Sequence, residues 1–123
     1  MKKLSVLLYT LVCIAVISCI HHNGNVNITY HDADQYYSMN ADFSKSKTSV
    51  VEYYMDRKIG TKNNISFVNV QSDAILTLDD HTRFYMKKVP GHIEIKLIKA
   101  ENSYEAYYKI KSMCEGMKKV LTK

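Results

Sequence analysis

An apolar run at the start of the chain decides which part of the sequence is expected to belong to the folded domain. Lys2 and Lys3 precede this run, which extends from Leu4 to Ile17. A transmembrane helix needs about 20 apolar residues, so the run is too short for a comfortable span. It fits the hydrophobic region of a secretory signal peptide instead. We therefore predict that residues 1–18 are removed and take no part in the fold.

The junction after the apolar run has a distinctive order, Val16-Ile17-Ser18-Cys19, with a small residue directly before the cysteine. Together with the basic start of the chain, this order resembles the signal peptide and lipobox of a bacterial lipoprotein precursor. The resemblance implies cleavage before Cys19, a diacylglycerol thioether on its thiol and acylation of its amine. Two or more acyl chains anchor a protein stably, whereas one anchors it only marginally.

The residue after the lipid site bears on location. Ile20 is not the aspartate that retains such proteins in the inner membrane of some bacteria, so the outer membrane is favoured, with the domain facing the periplasm. Residues 19–27 are expected to be the lipidated cysteine and a polar tether that includes His21 and His22. The alternative is a plain secretory signal or an uncleaved anchor in which Cys19 is incidental.

Length and charge place the remainder, residues 28–123, in one domain with a single modest core. Without Lys2 and Lys3 the chain keeps 15 of its 17 basic residues against 12 acidic ones, a net charge of +3. Nucleic-acid binding would require a clustered basic face, and the pair Lys87-Lys88 is short enough to be expected on a solvated surface. Only Cys114 remains beyond the lipid site, so no intramolecular disulfide can form.

Apolar and polar residues alternate along several short segments, which is typical of strands with one dry face. Tyr36 to Phe43 alternates most clearly, and Pro90-Gly91 suits a type II turn between two strands because glycine accepts a positive φ. The short connections favour antiparallel pairing. Strands are predicted at Val26–His31, Tyr36–Phe43, Ile65–Val70, Ala74–Leu78, Arg83–Val89 and His92–Leu97.

Two helices are predicted between and after these strands. The first begins at Ser44 or Ser46, either of which can cap it, and ends at Gly60 in a left-handed conformation. The second begins at Asn102-Ser103-Tyr104-Glu105, a variant of the capping box. An apolar stripe at helical spacing follows: Tyr107, Ile110, Cys114, Met117 and Leu121. The fold is expected to be α+β, with an antiparallel sheet and two helices on one face in the order ββαβββα.

Catalytic signals are weak. His31, Asp32 and Asp34 in one turn, and Asp79, Asp80 and His81 in another, are weak metal-ligand candidates because each turn holds only three donors. A structural role is favoured for both turns, and no cofactor is expected. Cys114 lies on the apolar stripe of its helix, which favours core packing over a nucleophilic role.

Adjacent tyrosine pairs are the remaining candidates for binding. In each pair one ring can enter the core while the other faces outward, and the outer rings are predicted to be Tyr36, Tyr53 and Tyr108. Tyrosine gives a large contact area at low entropic cost, so these rings are a possible partner surface. Packing over the sheet edge and helix flanks is the structural alternative.

These observations favour a non-enzymatic lipoprotein that binds or assists the assembly of an envelope protein. Beyond the leader, the domain resembles, in type, the small uncharacterised envelope lipoproteins of Gram-negative bacteria. The alternative is a small metal-dependent or hydrolytic periplasmic enzyme that uses the two Asp/His turns. The expected partners are the membrane, through the lipid, and an envelope protein; the oligomeric state stays open.

Overall fold

The computed structural model describes residues 26–123. The predicted signal peptide, Cys19, His21 and His22 lie outside the described residues. The elements follow one another as ββαβββα, which confirms the predicted α+β fold. The strands are β1 (Asn27–Asp32), β2 (Tyr36–Asp42), β3 (Ser72–Thr77), β4 (Arg83–Val89) and β5 (His92–Ile98), and the helices are α1 (Thr48–Met55) and α2 (Tyr104–Leu121).

All five strands form one antiparallel sheet in the order β1-β2-β5-β4-β3. The last strand in sequence, β5, lies at the centre, where Met39 of β2 is opposite Ile95. The β4–β5 connection is the two-residue turn Pro90-Gly91, and Gly91 has a φ of 81° as the turn prediction requires. β1 begins at Asn27, and Val26 before it is buried.

Alternation along the strands separates a dry face from a polar one. On β2, Tyr37, Met39 and Ala41 are buried, as predicted. Cross-strand neighbours on β5 and β4 share this face because directly opposite residues point the same way. Both helices pack on it, and the two-layer core is continuous through the domain. Within residues 26–123, no helix is long and apolar enough to cross a membrane.

α1 departs from its predicted capping. The helix is preceded by a 3₁₀ turn at Lys45–Lys47, and the side chain of Ser44 makes no capping hydrogen bond. After α1 the chain continues through a π-helical turn to Gly60, which is right-handed. The left-handed position is Asn64, with a φ of 56°. Glycine is needed at position 60 for space instead, since a Cβ there would lie 2.7 Å from the carbonyl oxygen of Ile65.

The predicted strand at Ile65–Val70 is wrong, and the segment is a loop. Its polar groups bond to one carboxylate: Asp56 Oδ1 accepts from the Phe67 backbone N–H at 2.7 Å, and Asp56 Oδ2 accepts from the Ser66 hydroxyl at 3.0 Å. Phe67 is buried in the core. The apolar residues that suggested a strand therefore include Phe67, whose buried side chain anchors the loop to the core.

α2 is capped one residue later than predicted. The N-cap is Ser103, whose hydroxyl accepts a hydrogen bond from the Ala106 N–H at 3.1 Å. The residue three positions after this N-cap is alanine, which has no carboxylate or amide to bond back, so no capping box forms. Asn102 instead bonds to the backbone of Arg83 and Ile98. The predicted stripe is confirmed: Ile110, Cys114, Met117 and Leu121 are buried, and Tyr107 is half-buried.

The two helices approach closely at Gly116. The Tyr54 hydroxyl of α1 donates to the Met113 carbonyl of α2 at 2.7 Å. That hydroxyl occupies the space where a Cβ on Gly116 would lie. The glycine costs about 1 kcal/mol of helix propensity, and the helix contact it allows explains its position.

Gly116→Ala should therefore destabilise the domain despite alanine's better helix propensity. The added methyl must displace a buried, hydrogen-bonded ring, and overpacking costs about 1–3 kcal/mol. Urea unfolding measures the loss. Tyr54→Phe is the matched partner: it removes the clashing hydroxyl, so the double variant should lose less than the sum of the two single losses. An additive double variant, or a more stable Gly116→Ala protein, would contradict the contact.

Candidate functional site

The two Asp/His turns lie at the same end of the sheet but on different hairpins. Asp32 ends β1 and Asp34 lies in the β1–β2 turn, whereas Asp79, Asp80 and His81 lie in the β3–β4 turn. β1 and β3 are the opposite edges of the sheet. Four strand spacings of about 4.8 Å each separate these edges by roughly 19 Å. Within the described part of the chain, no three His, Cys, Asp or Glu side chains form a group that could hold a metal ion.

Asp32 is the centre of an ionic cluster that joins the first hairpin to α2. Its carboxylate lies 2.8 Å from Lys99 Nζ and 3.1 Å from Lys111 Nζ, and it accepts a 2.7 Å hydrogen bond from the Tyr107 hydroxyl. Partial burial acts to raise the pKa of Asp32, but the hydrogen bonds from Lys99, Tyr107 and Lys111 together outweigh it and lower the pKa to about 2. The carboxylate is therefore an anionic clamp rather than a proton donor.

The second turn is also held by its own residues. Asp80 Oδ1 accepts from the Thr82 N–H at 3.1 Å, and Asp80 Oδ2 pairs with Lys109 of α2. His81 has a φ of 70°, the left-handed position that commonly closes a three-residue hairpin loop. These contacts are those of a structural turn.

Three tyrosines form a cluster near the N-terminal end of α2. The rings of Tyr104 and Tyr108 stack with their centroids 6.4 Å apart, and Tyr107 lies 5.9 Å from Tyr104. The ammonium of Lys99 lies 4.6 Å from the centre of the Tyr107 ring. We call these four residues the tyrosine surface. Lys99, Tyr104 and Tyr107, together with Asn102 and Ser103, line a cavity of about 340 Å³ beside it.

Exposure distinguishes the tyrosines of this surface. Tyr104 is 73% exposed and Tyr108 is 59% exposed, whereas Tyr107 is half-buried and hydrogen-bonded to Asp32. The rings of Tyr104 and Tyr108 therefore expose large apolar areas to water, whereas the Tyr107 ring is held in place by its hydrogen bond to Asp32. The i, i+4 spacing of Tyr104 and Tyr108 was the available signal for their stacking, and only Tyr108 was among the predicted partner residues.

The three predicted outer tyrosines do not form one surface. Tyr108 belongs to the tyrosine surface, and Tyr53, which is 56% exposed, lies on α1. Tyr36 points to the sheet face opposite the helices, where it stacks on His31 at 5.5 Å and lies 4.7 Å from Lys96 Nζ.

A buried ion pair was missed by sequence reasoning. Lys88 was predicted on a solvated face, but it is only 2% exposed because it follows Phe84 and Met86 on the dry side of β4. Its ammonium bonds to Glu52 Oε2 of α1 at 2.5 Å, and Glu52 is 4% exposed. The pair lines a cleft of about 390 Å³. The sequence signal for this pair was Glu52, a carboxylate on the same side of α1 as its apolar residues.

Cys114 is fully buried, as predicted. Burial raises the pKa of its thiol well above the ordinary value, with a further contribution from Glu115. A reactive cysteine needs a lowered pKa and access to solvent. The residue therefore packs the core and is not a nucleophile.

The sequence matches no protein-family model, and comparisons with curated proteins and with solved structures find no match. Function must therefore be inferred from the chain's own geometry.

Lys88→Met should destabilise the domain by about 3–5 kcal/mol, because it leaves the Glu52 carboxylate buried without a counter-charge. Glu52→Leu in the same chain should restore most of the loss. Lys87→Met is the matched control. Lys87 is next to Lys88 in sequence, but its side chain lies on the opposite face of β4, so this substitution should change stability by about 0.5 kcal/mol or less. Equal effects of the two lysine substitutions in urea unfolding would show that Lys88 is not buried with Glu52.

Proposed function

We propose that the chain is a lipid-anchored envelope protein whose folded domain binds a protein partner through the tyrosine surface. The anchor would be Cys19, by the resemblance of the leader to lipoprotein precursors. The domain would not be an enzyme. Its task would be to hold a binding surface at a defined distance from the outer membrane, facing the periplasm.

The observation that carries the proposal is the exposure of two stacked rings above a fixed base. Large exposed aromatic rings that do not serve the core are a feature of interaction sites, and tyrosine is enriched in protein interfaces. Tyr107 and Lys99 beneath them are already ordered by Asp32. A pre-organised surface loses less side-chain entropy on binding.

The direction of β1, the first strand of the described chain, supports this arrangement. Seven residues lie between Cys19 and Asn27, where β1 begins, and the eight Cα-to-Cα steps from one to the other reach at most about 28 Å. β1 then runs to Asp32, which bonds to Tyr107 of the tyrosine surface. A six-residue strand spans roughly 17–20 Å, so the described chain begins at one end of the sheet and the tyrosine surface lies at the other.

The test is capture of a partner from detergent-solubilised envelope by the full chain. Tyr104→Ser with Tyr108→Ser should reduce capture at least tenfold, because the partner loses its main apolar contact. Tyr53→Ser is the matched control: the ring is about as exposed as Tyr108 but lies on α1, and capture should be unchanged. Capture that is unaffected by the double variant, or equally reduced by Tyr53→Ser, would contradict the proposed surface.

The anchor is checked on the same preparations. Cys19→Ala should abolish incorporation of labelled palmitate and release the protein from the membrane fraction, while the domain folds normally. Labelling that persists in this variant would refute Cys19 as the lipid site and would leave the tyrosine surface untouched.

A further inference from the structure

The outer edge of β3 is unpaired within residues 26–123. The backbone hydrogen bonds show which of its groups face outward. The Leu78 N–H donates to the Thr82 carbonyl at 2.8 Å, and this pair continues the register in which Leu76 is opposite Phe84. Bonded and non-bonded pairs alternate in an antiparallel ladder, so Leu76 and Ala74 bond to β4. The N–H and C=O groups of Asp73, Ile75 and Thr77 therefore point to the free edge.

This edge carries few of the features that protect sheet edges. Natural edge strands are usually guarded by lysine, proline, bulges or a covering element. The sequence of β3 is Ser-Asp-Ala-Ile-Leu-Thr, and Ile75 is 57% exposed. Its one charged residue, Asp73, accepts a 2.7 Å hydrogen bond from the Tyr85 hydroxyl. Ala74 lies on the helix side of the sheet yet is exposed, so the helix layer leaves this part of β3 uncovered, whereas Leu76 packs against the core.

We propose that the free edge of β3 pairs with β3 of a second copy of this chain, antiparallel and centred on Ile75. With a two-fold axis at Ile75, the outward N–H and C=O groups of one strand are opposite those of the other. Ile75 is then opposite Ile75 of the second copy, and Asp73 is opposite Thr77. Opposite residues then share a face, so the two isoleucines would lie side by side on the sheet face away from the helices, each flanked by its own Tyr85.

Charge favours a second copy over an unrelated strand. In this register no like charges are opposed, because the acidic residue of each strand meets a threonine. Thr77 is opposite Arg83 of β4 on the same face. Asp73 of one copy would thus lie two strand spacings, about 10 Å, from Arg83 of the other, an exposed arginine that pairs with Glu101 of its own chain. The same residues serve both halves, as an isologous interface requires.

Disulfide trapping in cells tests the register in the full chain. Ile75→Cys places two thiols opposite each other across the axis, with Cα atoms about 5.5 Å apart, within the range for a disulfide. The variant should run as a disulfide-linked dimer on a denaturing, non-reducing gel, whereas wild type, which has no cysteine at this position, should run as a monomer on that gel. Thr77→Cys is the matched control on the same strand: its two copies would be four residues apart along the ladder, about 13 Å, and should not cross-link.

Sedimentation of the purified full chain provides a second measurement. Ile75→Pro removes an outward N–H and spares the ladder to β4, so it should convert a dimer to a monomer while circular dichroism stays unchanged. Equal cross-linking at positions 75 and 77, no cross-linking at 75, or a wild-type monomer at every concentration would overturn the proposal. Cross-linking of Ile75→Cys to a different protein would also overturn it and would assign the edge to an extended segment of that protein.

Discussion

The packing of both helices against one face of the antiparallel sheet is the constraint on which the rest of the structure depends. It makes one core from two layers, and it requires the close contact between Tyr54 and Gly116 where the helices meet. It also determines which groups remain in water. The outer rings of α2, Tyr104 and Tyr108, are exposed, and so is Ala74 of β3 on the helix side of the sheet. The binding surface and the free edge are both consequences of this one-sided layer.

The fold could be predicted largely from local patterns. Alternation along Tyr36–Phe43 and His92–Leu97 identifies strands and their dry faces, because side-chain direction has a period of two. The stripe from Ile110 to Leu121 identifies α2 for the corresponding helical reason. These patterns also sort adjacent tyrosines, so the burial of Tyr37 and Tyr54 was accessible from sequence.

What could not be predicted depends on contacts between residues distant in sequence. Asp56 holds the loop at Ile65–Val70, and Gly60 is needed because the Ile65 carbonyl approaches it. Lys88 follows Phe84 and Met86 on the dry face of β4, and its ammonium is matched there by Glu52 of α1. The tyrosine surface has the same origin. The fold brings Asp32, which the sequence suggested as a metal ligand, to the Tyr107 hydroxyl, and its carboxylate holds that ring in place. The leader, in contrast, is a local signal, and the anchor it predicts stays a proposal.

Chemical acetylation of accessible tyrosine hydroxyls, followed by mass spectrometry, measures most directly how the helix layer divides the rings between core and solvent. In the folded protein, Tyr104, Tyr108 and Tyr53 should be modified first, and Tyr37 and Tyr54 only after unfolding. Modification of Tyr37 or Tyr54 at the rate of Tyr104 in the folded protein would contradict the one-sided packing, and with it the surface proposed for binding.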